Sequence, residues 1–93
     1  MTDEIKTKPL SEMTVNTILT MVIRLRQPMT VRVAEDDEYD IVWNRAYNQP
    51  EVLHPGRAGV DVRGISQTVK WLESQSEDVQ WFTQTKRHTQ PNM

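Results

Sequence analysis

The sequence predicts a small single α+β domain, with an antiparallel sheet of three to four strands packed by two helices. Residues 11–27 repeat apolar side chains at helical spacing, whereas residues 29–43 alternate apolar and polar side chains as strands do. A chain of 93 residues is one domain by length. Because it contains no cysteine, disulfides and thiolate metal sites are excluded.

The first helix is predicted from residue 11 to residue 27. Ser11 is a suitable N-cap, and Pro28 marks the stop. At 100° per residue, one broad apolar arc contains Val15, Ile18, Leu19, Met21, Val22, Ile23 and Leu25. The second half of this segment also alternates as a strand would, so a hairpin turning at Gln27-Pro28 is the open alternative.

A β-hairpin is predicted to follow. Met29, Val31 and Val33 alternate with polar residues, and so do Tyr39, Ile41 and Trp43. Pairing Val33 with Tyr39, Val31 with Ile41 and Met29 with Trp43 puts all six on one face, with Trp43 in the core. The connecting loop is then residues 34–38.

The second half of the chain is predicted to begin with a long loop over residues 47–59, which holds two prolines and two glycines. A short strand over 60–64 and a helix from 65 to about 75, N-capped by Ser66, follow. Residues 78–85 are predicted as a last strand, with Trp81 and Phe82 on opposite faces and one of them exposed.

The domain boundaries follow from this assignment. We predict a flexible N-terminal arm over 1–10, one α+β domain over 11–85 and a flexible C-terminal tail over 86–93. The N-terminus lacks the apolar run of a signal peptide, and the longest apolar runs have three residues. The sequence therefore predicts a soluble protein without membrane association and favours a cytoplasmic location.

A cluster of carboxylates at the hairpin tip is the most distinctive local feature, formed by Glu35, Asp36, Asp37, Glu38 and Asp40. As a calcium loop it lacks the glycine and the bidentate glutamate that the EF-hand pattern needs. A solvated tip also offers no apolar pocket to separate two carboxyl pKa values for catalysis. The cluster is either a polar turn or an anionic knob that docks on a basic partner surface.

The histidines and glycine turns give no catalytic or metal motif. His54 and His88 have no metal-ligand spacing, and no serine lies in a nucleophile elbow. The segment HPGRAG, residues 54–59, lacks the phosphate-loop pattern and is interpreted as a turn. We therefore expect no enzyme activity, no catalytic residues, no metal and no cofactor, with a small enzyme as the least favoured alternative.

The basic residues are scattered, and a net charge of −2 with a pI of about 5.6 argues against a strongly basic nucleic-acid binder. Arginines beside Trp43 or Trp81 are nevertheless suited to single-stranded nucleic acid through stacking and charge. Weak nucleic-acid binding as an accessory protein is therefore the alternative hypothesis.

The favoured hypothesis is a small non-enzymatic interaction or regulatory protein that binds a larger protein partner through a basic surface of that partner. The five carboxylates of the tip are its predicted contacts, and His54, Arg57 and Trp81 are secondary candidates. A special case is an inhibitor that occupies a nucleic-acid-binding cleft, as small phage and plasmid accessory proteins often do. No family resemblance supports either hypothesis.

Overall fold

The computed structural model describes residues 8–84 and shows one antiparallel sheet with two helices. The strands lie in the order β4-β3-β2-β1-β5. Their bounds are β1 Met29–Ala34, β2 Asp37–Asn44, β3 Gln49–Leu53, β4 Val62–Arg63 and β5 Gln80–Thr83. The α+β prediction is confirmed, with five strands in place of three to four.

The first helix, α1, spans Glu12–Leu19 and continues as a π-helical segment over Thr20–Arg24. Ser11 caps it as predicted, because its hydroxyl oxygen accepts the backbone N–H of Thr14 at 3.0 Å. The helical interpretation of this segment is therefore confirmed over the hairpin alternative. The chain leaves the helix through Arg26, whose φ of 54° is left-handed, as Gln27 donates its N–H to the carbonyl of Met21.

The second helix, α2, spans Ile65–Glu73 and runs from β4 back towards β5. Its N-cap is Gly64 and no side chain caps it, so the prediction of Ser66 as N-cap is wrong. Gly64 has a φ of 105°, a conformation that glycine adopts without a Cβ penalty. The glycine directs the chain sharply from β4 into α2.

The hairpin of β1 and β2 is confirmed, but its predicted register is wrong by two residues. Met29 pairs with Ile41 and Val31 with Tyr39, and the ladder ends with Ala34 opposite Asp37. An irregularity between Arg32 and Ala34 accompanies this tighter closure. Because side chains alternate with a period of two, the shift preserves which face each residue occupies.

The loop predicted over 47–59 is partly wrong, since it contains β3. The sequence did not predict this strand because Pro50 lies in it, and proline is unusual inside a sheet. Its carbonyl accepts the N–H of Gly64, so its nitrogen faces away from β2 and the β2 ladder loses no hydrogen bond. The short strand predicted over 60–64 is confirmed as β4, and the last strand, predicted over 78–85, is confirmed as β5.

The inner face of the sheet packs against the helices and forms the core. Its fully or nearly buried side chains are Leu10, Val15, Ile18, Val22, Met29, Val31, Ile41, Val52 and Leu72. Trp43, predicted in the core, is only half-buried and packs at its margin. On the outer face, polar side chains pair across the strands.

The predicted arm and tail fall mostly on residues 1–7 and 85–93, outside the described residues. Residues 8–10, the end of the predicted arm, lie against residues 75–77: Leu10 is buried and donates its N–H to the carbonyl of Gln75. In the described part of the chain, neither helix has the length and apolarity that a membrane span requires.

Candidate binding surfaces

The strands run between two ends of opposite charge. We define the acidic end as the β1–β2 turn with residues 34–38, 53–61 and 76–80, and the arginine end as residues 24–28, 43–49 and 82–84. The ladder places the start of β1 beside the ends of β2 and β5, so each set shares one end. The acidic end holds seven acids (Glu35, Asp36, Asp37, Glu38, Asp61, Glu77 and Asp78) and one arginine; the arginine end holds three arginines and no acid.

Three of the five predicted contact carboxylates are bound within the protein. Glu38 accepts Arg32 Nε at 2.8 Å, and Asp40 accepts the Thr30 hydroxyl at 3.0 Å. Asp37 lies 2.6 Å from the Nε2 atom of His54. These side chains lie on β2 rather than in the turn, and each already contacts a side chain of the protein itself.

The remaining two, Glu35 and Asp36, are exposed in the turn and form no ion pair with residues 8–84. Glu77 and Asp78, which the sequence analysis did not single out, are also exposed at this end. Glu35 and Asp78 line a shallow groove of about 550 Å³ between the end of β1 and the start of β5. The anionic surface is therefore formed by two loops rather than by the turn alone.

His54 is held at both ring nitrogens. Its Nδ1 accepts the N–H of Gly56 at 3.0 Å, which leaves the ring proton on Nε2 to donate to Asp37. The ring also packs edge-on against Tyr39, with centroids 4.8 Å apart. No ring nitrogen is free to take a proton from a substrate while these bonds persist, so this His–Asp pair fixes the 54–59 loop to β2.

Arg57 is tied to the same cluster. It donates to Asp61 at 2.7 Å and to the Tyr39 hydroxyl at 3.3 Å. The hydrogen bond to Asp61, and secondarily the one to Tyr39, raise the pKa of Arg57 above its ordinary value. Of the secondary candidates, His54 and Arg57 thus lie together beside Tyr39, whereas Trp81 lies apart on β5.

Strand β5 forms an open edge of the sheet. Gln84 donates its N–H to the carbonyl of Pro28, and antiparallel bonds alternate, so the backbone groups of Trp81 and Thr83 point away from β1. Trp81 and Phe82 lie on opposite faces, as predicted, with Trp81 on the inner face. The prediction that one of them is exposed is incomplete, since both are, at 37% and 39%. Within residues 8–84 no strand pairs with this edge.

At the arginine end, sequence reasoning did not foresee that Arg26 and Arg45 line one groove. Arg32 and Arg63 each pair with a carboxylate in the sheet, and Arg57 pairs with Asp61 in the loop between β3 and β4. By contrast, Arg24, Arg26 and Arg45 are exposed and form no ion pair with any described residue. The guanidinium of Arg26 lies 3.8 Å above the centre of the Trp43 ring.

Residues 8–84 contain no group of three or more His, Asp or Glu side chains placed to hold a metal ion. Comparisons of the chain with protein-family models, curated proteins and solved structures found no match.

Proposed function

We propose that this protein is a non-enzymatic binding protein that takes an extended, basic segment of a protein partner along β5 and the acidic end. The observation that carries the proposal is the position of Glu35 and Asp78, exposed in a groove that continues into the open edge of β5. A special case is an inhibitor whose partner uses that basic segment to hold nucleic acid.

Charge supports a basic partner. Seven acids of the acidic end face two arginines, Arg57 and the Arg32 side chain that pairs with Glu38, so an excess of five negative charges remains. Glu35, Asp36 and Asp78 have no ion-pair partner in residues 8–84, so a cationic segment meets charges that no contact within those residues neutralises. Complementary charge of this kind raises the association rate and the specificity.

The strand edge supports an extended partner. The outward backbone groups of Trp81 and Thr83 can hydrogen-bond an added strand, and main-chain bonds supply affinity in strand addition. Exposed Trp81 and Phe82 offer apolar contact on either face of such a strand. A cytoplasmic location, supported by the lack of cysteine, belongs to the same proposal.

The proposal is tested by NMR titration of the ¹⁵N-labelled chain with a twelve-residue peptide of alternating lysine and threonine in low salt. We expect amide shifts at residues 35–36 and 78–83. The double variant Glu35→Gln/Asp36→Asn should bind about 3- to 10-fold more weakly, since each exposed ion pair contributes about 0.2–1 kcal/mol.

The matched control is Glu12→Gln/Glu73→Gln, which changes the net charge equally on exposed helix positions. It should bind the peptide as the parent does. Shifts centred on the helices, equal weakening by both double variants, or no binding at low salt would each contradict the proposal.

A further inference from the structure

We propose that the arginine end is a binding site for single-stranded nucleic acid. In this site Arg26, supported by Trp43, stacks on a base, and Arg45 contacts a phosphate. The site lies at the opposite end of the sheet from the acidic end and does not depend on the function proposed there.

The stack of Arg26 on Trp43 is the first observation. At 3.8 Å from the ring centre, the guanidinium covers one face of the indole and keeps its other side towards solvent. Arginine planes and aromatic rings are the platforms on which unstacked bases lie in single-strand complexes. Trp43 thus restricts Arg26 to an orientation that a base can use.

The groove beside this stack is the second observation. It has a volume of about 550 Å³ and is lined by Arg26, Pro28, Val42, Trp43, Arg45 and Asn48. Pro28, Val42 and Trp43 supply an apolar floor, the two arginines supply positive charge, and the Asn48 amide can donate and accept hydrogen bonds. An apolar floor with a few polar groups around it fits a base with its attached phosphate.

The third observation is that the arginines of this end form no ion pair within residues 8–84. The three arginines that meet carboxylates lie elsewhere, whereas the segments of the arginine end contain no Asp or Glu at all. Arginines without an ion pair among the described residues favour a polyanion as ligand. The planar guanidinium of Arg26, on which a base can stack, favours a nucleic acid over an acidic peptide. Two arginines around one groove suit a flexible single strand better than the broad backbone surface of a duplex.

The test uses the full chain and a fluorescein-labelled oligonucleotide of twelve thymidines, followed by fluorescence anisotropy between 20 and 200 mM salt. We expect binding that weakens with salt. Arg45→Gln should lower the slope of log K against log salt by about 0.7, the value for one phosphate contact on a single strand. Arg26→Lys should weaken binding at least about fivefold with the slope unchanged, because lysine keeps the charge but has no plane for stacking.

Lys70→Gln is the matched control, because it removes one exposed positive charge from α2. It should leave both affinity and slope as in the parent. The proposal is overturned if the oligonucleotide does not bind at 20 mM salt, if Lys70→Gln and Arg45→Gln act equally, or if a twelve-residue polyglutamate peptide binds as tightly. The acidic-end double variant should bind the oligonucleotide no more weakly than the parent, which separates this test from that of the proposed function.

Discussion

Arg26 occupies a backbone conformation that costs a non-glycine residue about 1–2 kcal/mol. Glycine is the usual residue at this position after a helix, because it adopts a positive φ without a Cβ clash. The stack on Trp43 returns only about 0.5–1 kcal/mol at an exposed site. The stability of the fold alone therefore does not explain why an arginine stands at this position. The proposed stacking of its planar guanidinium on a base does.

This imbalance predicts the behaviour of Arg26→Gly. Glycine relieves the strain of the positive φ, which is stabilising, but it removes the contact with Trp43, which is destabilising. The free energy of unfolding should therefore stay within about 1 kcal/mol of the parent. Binding to the thymidine oligonucleotide should fall as strongly as in Arg26→Lys or more. Urea denaturation and anisotropy measure the two quantities, and a loss of stability well beyond that range would show that the arginine serves the fold.

Thr68 provides a second prediction for a single residue. It is completely buried in α2, and its hydroxyl has no hydrogen-bond partner among residues 8–84. Because an unsatisfied buried hydroxyl is destabilising, Thr68→Val, which keeps the shape, should raise the free energy of unfolding by about 1 kcal/mol. For a domain of this size the expected rise in Tm is about 4–8 °C by calorimetry. Thr68→Ser is the control, since it retains the hydroxyl and should not stabilise.

Among the elements, β5 decides whether the sheet can be extended. Thr83→Pro removes an N–H that points outward and leaves the bonds to β1 intact, so the chain should fold and lose the lysine–threonine peptide. Phe82→Pro is the contrast, because it removes an N–H that faces β1 and should lower Tm. Circular dichroism and NMR titration distinguish the two, and undiminished peptide binding by Thr83→Pro would exclude strand addition at this edge.

The elements also show how far sequence reasoning extends. The alternation of apolar and polar residues predicts which face of β1 and β2 is buried. It does not distinguish two pairings that differ by two residues, because both bury the same face, so the register depends on the turn geometry. That shift has consequences for the candidate site: it puts Arg32 opposite Glu38, whose charge it neutralises, and Thr30 opposite Asp40, whose carboxylate accepts the hydroxyl and keeps its charge. The partner of Asp37 is His54, and local sequence patterns could not predict that the segment holding His54 lies beside β2.

The β3 strand was missed for a different reason. Its sequence, QPEVL, contains a proline and a glutamate, which are both unusual inside a sheet. Glu51 is nevertheless 3% exposed, because Asn44 and Arg63 from the two neighbouring strands each donate to it at 2.7 Å. Such partners exist only once β2, β3 and β4 are assembled, and the same is true of the arginine end, where separate segments meet.

At the scale of the whole molecule, the two binding surfaces lie at opposite ends of β1 and β2. A strand of six residues spans about 20 Å. This length exceeds the Debye length of about 8 Å at physiological ionic strength, so the charges of one end are largely screened from the other. Under the two proposals, a protein segment and a nucleic acid therefore bind at separate ends without competing through charge.

Independence of the two ends is itself testable. In a double-mutant cycle at 150 mM salt, Arg45→Gln and Glu35→Gln/Asp36→Asn should combine additively on each ligand, within about 0.3–0.5 kcal/mol. Anisotropy with the oligonucleotide and NMR titration with the peptide supply the four affinities for each ligand. A coupling well above that range would mean that the sheet transmits binding between its ends.

Each of the three tryptophans lies in a different region of the molecule. Trp43 lies under Arg26 at the arginine end, Trp81 lies on the open edge of β5, and Trp71 packs against Tyr39 with ring centroids 5.2 Å apart. Variants that keep one indole and replace the others with phenylalanine would therefore emit from one region each. Quenching of Trp43 or a spectral shift of Trp81 in its own variant would report a ligand directly, and the variant that keeps Trp71 would serve as the reference, with no external dye.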